Sequence, residues 1–72
     1  MAYSKADLEL VERHVAQGEQ HIIRQEELIS RLRSRGLPTE EAEKLLKGFQ
    51  ESLHEHRAHR DRIAEALDDN ED

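Results

Sequence analysis

The sequence predicts an all-α fold: an antiparallel helical hairpin that pairs into a homodimeric four-helix bundle. Three observations predict it. Apolar residues recur at alternating steps of three and four through two long stretches, which is a heptad seam and not the alternation of a strand. The stretches are separated near mid-chain by Arg35-Gly36-Leu37-Pro38-Thr39, the only place where Gly and Pro fall close together. The paired seams also leave apolar residues at their flanks, and two helices cannot cover those between themselves.

Composition narrows the classes. A chain of 72 residues makes one small domain, 1–72, with a modest core of the kind that often needs self-association. Charged residues make up 39% and aromatics 3%. That mix fits either disorder or a long solvated hairpin, and the periodicity selects the hairpin. There is no Cys, which removes disulfides, thiolate metal sites and thiol catalysis. No apolar run approaches the roughly 20 residues of a membrane span. Met1-Ala2-Tyr3-Ser4 shows no apolar signal region, so the expected location is cytoplasmic, with no membrane partner. The formal charge is −6. Asp68, Asp69, Glu71 and Asp72 supply four of those negative charges, so the body is nearly balanced. Such a body has no general attraction for phosphate backbones, and nucleic acid is not the expected partner.

The first helix is expected over about 5–35. Ser4 is placed to cap it, with Asp7 at the positive end of the helix dipole. Its seam is Leu8, Val11, Val15, Ile22, Ile29 and Leu32, with Gly18 and Gln25 filling the two gaps. Arg31, Arg33 and Arg35 crowd the last turns, where cations suit the negative end. Gly36 is placed for a left-handed residue beyond the helix end, and Pro38 forbids continuation. The turn is expected at 36–38.

The second helix is expected over about 39–67, capped by Thr39, with Glu40, Glu41 and Glu43 in its first turn. Its seam runs Ala42, Leu46, Phe49, Leu53, His56, Arg60, Ile63, Leu67. The acidic stretch 68–72 has no apolar residue and is expected to be disordered. Folding the chain at residue 37 sets Gly18 opposite His56, Gln25 opposite Phe49 and His14 opposite His59. Leu28 and Leu45 flank the seams and widen the apolar face. The expected interface residues are therefore Leu8, Val11, Val15, Gly18, Ile22, Leu28, Ile29 and Leu32 on the first helix. On the second they are Leu45, Leu46, Phe49, Leu53, His56, Ile63 and Leu67.

Five histidines, His14, His21, His54, His56 and His59, gather in the half of the hairpin far from the turn. His56 and His59 are three apart and share a helix face, and His14 reaches toward them from the other helix. These three are the candidate metal ligands. Arg57, Arg60 and Arg62 among them disfavour a cation, and the first helix has no Glu-x-x-His pair of the kind used by carboxylate-bridged bundles. The favoured reading is a polar layer that fixes register and partner, with no metal and no cofactor. The arginines read as a solvated face with pairs such as Glu9–Arg13 and Glu27–Arg31. With one Phe, one Tyr and no Trp, stacking platforms for single-stranded nucleic acid are few. No nucleophile motif and no Gly-rich phosphate loop occur.

Two resemblances attach to these residues. The pattern Glu12-Arg13-His14-Val15, Gly18-Glu19, Arg24-Gln25, then Phe49 and His56-Arg57-Ala58-His59-Arg60-Asp61-Arg62, resembles a group of short bacterial helical-hairpin proteins of unknown function. The likeness covers most of residues 8–67. The segment Glu51-Ser52-Leu53-His54-Glu55-His56, with the chain's size and acidic tail, is similar to the plasmid Rop (repressor of primer) family. That resemblance implies dimerisation into a four-helix bundle and binding of paired RNA loops. The Rop RNA face uses Lys, Asn, Gln and an aromatic on the first helix. The helix here offers Arg13, Gln17, Gln20 and Arg24, with no aromatic beyond Tyr3. The expected function is thus a non-enzymatic helical interaction or regulatory module acting as a homodimer or docking on a larger protein partner. The alternatives are a small RNA-binding hairpin dimer and a His-based metal-binding bundle. Leu10 and Ile23, on outer faces, are candidate contacts for a docked protein.

Overall fold

The computed structural model describes residues 3–69. Two α-helices, α1 (Lys5–Ser34) and α2 (Glu40–Asp69), pack against each other as a hairpin. Among the described residues there is no strand. Each helix has 30 residues, which makes it about 45 Å long. α2 runs two residues past its expected end, into the acidic stretch. The remaining tail, 70–72, lies outside the described residues.

Local chemistry explains both ends of α1. Ser4 sits in an extended conformation and its Oγ accepts from the Asp7 backbone N–H at 3.2 Å. The Asp7 carboxylate in turn accepts from the Ser4 backbone N–H at 2.8 Å. This is a capping box with Asp in place of the usual Glu or Gln, so two orphan N–H groups are satisfied at once. At the other end the Leu37 N–H donates to the Leu32 carbonyl at 2.9 Å, and the Gly36 N–H donates to the Arg33 carbonyl at 3.1 Å. Gly36 has φ +68°. Together these make a Schellman motif, which closes the orphan carbonyls of the last turn.

The start of α2 is held differently. The Thr39 carbonyl accepts from the Glu43 N–H at 2.8 Å. The Thr39 hydroxyl is a donor, to the Glu43 carboxylate at 2.8 Å. The same carboxylate lies 3.7 Å from an Arg33 guanidinium nitrogen. Glu43 therefore links the first turn of α2 to the last turn of α1 across the connection.

This connection corrects the register. A pivot at residue 37 would set Gly18 opposite His56. Instead the position of a Gly18 Cβ lies 3.1 Å from Leu53 Cδ1. His14 stands beside His56, not His59. His21, not Gln25, stands beside Phe49. The shift is about one helical turn. Its cause is the Schellman turn: Leu37 is bonded back to Leu32, so residues 37–39 descend beside the end of α1 before α2 begins.

The core is a narrow line between the helices. The buried apolar residues are Val11, Val15, Ile29, Ala42, Leu53 and Ile63, joined by the polar Gln25. Leu8, Gly18, Ile22, Leu28, Leu32, Leu46, Phe49, His56 and Leu67 are half-buried, and Leu45 is exposed. Two cylinders in contact can shield only the stripe between them, so the flanks of each seam stay open.

Two glycines test this geometry. Gly36→Ala must hold a Cβ in the left-handed region and should lose about 1 kcal/mol of stability. At Gly48, nothing lies within 4 Å of where a Cβ would sit, so Gly48→Ala should gain up to about 1 kcal/mol from helix propensity. Urea unfolding of both variants measures the difference, and a Gly36→Ala variant as stable as the parent would contradict the turn geometry.

Candidate functional site

The two open sides of the hairpin are unlike. One carries most of the histidines. A shallow notch of about 290 Å³ is lined there by His14, Gln17, Gly18, His21, Phe49, Ser52 and His56. It continues toward the chain ends as a second hollow that includes Tyr3, Leu10, His14, His56 and His59. We call this the histidine face. Helical spacing builds it: His14 and His21 are seven apart on α1, and Phe49 and His56 are seven apart on α2. Gly18 opens the notch, because it brings no side chain between His14 and His21.

The rings on this face meet in pairs. His14 and His56 have centroids 5.5 Å apart, tilted by 53°. His21 and Phe49 lie at 5.4 Å and 55°. Tyr3 meets His59 edge-on at 6.1 Å. Such tilted and edge contacts suit the charge distribution of aromatic rings. Of the candidate ligands His14, His56 and His59, the structure thus joins the first two, while His59 pairs with Tyr3. Among the described residues, no group of three or more His, Asp or Glu is placed to hold a metal ion. No hydrogen bond links Ser52 to an imidazole among the side-chain bonds of the described residues, so its hydroxyl has no general base aligned on it. What the face offers is a row of imidazoles, an amide and a hydroxyl along an apolar floor. That chemistry suits contact with another surface better than enclosure of a small molecule.

The opposite side is lined by Glu19, Ile22, Ile23, Gln50, Leu53 and Arg57. Arg57, expected to point outward, donates to the Glu19 carboxylate at 2.8 Å and bridges the two helices. Both side chains are about half exposed, so the pair contributes under about 1 kcal/mol and weakens with salt. Leu10 and Ile23 are each 48% exposed, Leu10 on the histidine face and Ile23 on this one.

The seam pattern leaves Gln25 as a gap and assigns it no role. It is buried at 8% exposure, and its Nε2 donates to the Ala42 backbone carbonyl at 2.9 Å. A signal for this exists in the sequence: a lone amide in an apolar heptad is a device that fixes register, as in coiled coils. The bond spans the hairpin close to the turn and ties α1 to the first turns of α2.

Comparisons of the chain with protein families, with curated proteins and with solved structures find no match.

Replacing Gln25 separates stability from register. Ala42 is in the first turn of α2, where its carbonyl is positioned to serve the intrahelical ladder as well. Gln25→Leu should therefore keep or raise the melting temperature, while the variant populates more than one helix register, seen as doubled amide peaks in an NMR correlation spectrum. A loss above about 2 kcal/mol with a single set of peaks would show the bond to be a net stabiliser.

Proposed function

We propose that this chain is a non-enzymatic interaction module of regulatory type whose working form is a homodimeric four-helix bundle. The exposure pattern supports the reading most. Among the described residues, six apolar side chains are buried within the hairpin, a small core of the kind that self-association commonly supplements. Meanwhile Tyr3, Leu10, Ile23, Leu37 and Leu45 stay at least 39% exposed. A hairpin this narrow gains most by covering one of its open sides, and a second copy is the economical cover.

No wall encloses the notch, and the body measures 58 × 14 × 14 Å. Recognition by such a rod works along its length, through a helical face matched to another helix. Regulation would then operate by mass action between free and paired forms.

Sedimentation equilibrium tests the reading. The expected mass is about twice the 8.4 kDa of one chain. A cooperatively folded species of single-chain mass across the accessible concentration range would overturn it, and a stoichiometric complex with a different protein would replace the homodimer.

A further inference from the structure

On the strength of the dimer reading above, we infer that the second copy covers the histidine face. It lies with its α1 antiparallel to the first α1, about a twofold axis level with residue 19. The two open sides differ in how their charges are met. On the Ile23 side, ion pairs already cross between the helices: Glu19 with Arg57 at 2.8 Å and Arg33 with Glu43 at 3.7 Å. Positions 19 and 33 are two heptads apart, as are 43 and 57, so both pairs flank the same side. That side is satisfied within one hairpin. On the histidine face, no ion pair crosses between the helices among the described residues.

The charges on that face are arranged to meet a second copy. From Asp7, steps of three and four trace a second heptad seam along α1 as far as Arg31. Antiparallel helices set each seam residue opposite the one equally far beyond the axis. About residue 19 this places Asp7 against the copy's Arg31, and exposed Leu10 against the copy's half-buried Leu28. His14 then meets the copy's Arg24, and Gln17 meets the copy's His21. Opposite charges fall at the ends, apolar groups come next, and hydrogen-bonding side chains lie at the centre.

α2 obeys the same axis. Gly18 lies against Leu53, so the axis crosses α2 near Ser52, and Glu41 comes level with the copy's Arg62. The axis also passes through the notch beside Gly18, so the two notches face each other. A single axis thus pairs acid with base on both helices, and self-complementarity of this kind is what an isologous interface requires.

The absence of Cys from the chain allows a clean test. Leu10→Cys, Leu28→Cys and, as a control on the other side, Ile23→Cys chains are each treated with a short bismaleimide, alone and as co-refolded mixtures. Circular dichroism and sedimentation are recorded on the same samples. The Leu10→Cys and Leu28→Cys mixture should give covalent dimer roughly tenfold or more above either chain alone, because paired thiols meet at the effective concentration of a tethered pair. Leu10→Cys alone should give little, since its two thiols would lie about 27 Å apart along the helices. A dimer by sedimentation that crosslinks through Ile23→Cys, or through Leu10→Cys alone, overturns the face or the direction and leaves the dimer standing. Single-chain mass for all samples removes the dimer itself.

Discussion

Two helices touch along one line, and everything else in this molecule follows from that constraint. Among the described residues, Lys5–Ser34 and Glu40–Asp69 fully bury only a stripe of six apolar side chains and one amide between them, and leave the flanking seam residues half-buried. Burial of this kind supplies most of the free energy that offsets chain ordering. With so little of it, local devices carry unusual weight: the Ser4–Asp7 capping box, the Schellman turn at Gly36, and the Glu43 carboxylate shared by Thr39 and Arg33. The capping box and the Schellman turn each contribute on the order of 1 kcal/mol and the exposed Glu43 contacts less, which together is a large share for a domain of this size.

The connection also decides which residues meet. A sequence pattern specifies which side of each helix faces inward, and here it does so well: Val11, Val15, Ile29, Ala42, Leu53 and Ile63 are all seam positions, and all are buried. Pattern alone does not specify the axial offset of two helices, because a heptad seam looks much the same one layer up or down. That offset depends on how far the chain travels between helices. Residues 37–39 run back beside α1, and the layers move by a turn. His14 therefore meets His56, and Gly18 meets Leu53. The ends of α1 are legible from Ser4 and Gly36, whose chemistry is local. The Arg57–Glu19 bridge is not, because long side chains choose partners only once the offset is set.

The candidate site is half legible. Five histidines in one half of the hairpin announce a polar region, and their heptad spacing puts His14 and His21 on one flank. The notch beside Gly18 follows from a missing side chain, and its ring pairs follow from the offset. The two sides of the hairpin differ in charge: ion pairs cross between the helices on the Glu19–Arg57 side, and among the described residues none crosses on the histidine side. On the proposed reading, a reversed second copy would complement the histidine side. Recognition is then a property of the histidine face along the length of the hairpin, and the turn sets the register on which that face depends.

On the proposed reading, the fold of one hairpin is completed by another. The decisive quantity is the midpoint of urea unfolding, followed by circular dichroism over about a hundredfold range of protein concentration. Coupled folding and pairing predicts a midpoint that rises steadily with concentration. A cooperative transition whose midpoint stays constant across that range would show that the two helices are sufficient alone and that no second copy completes the fold.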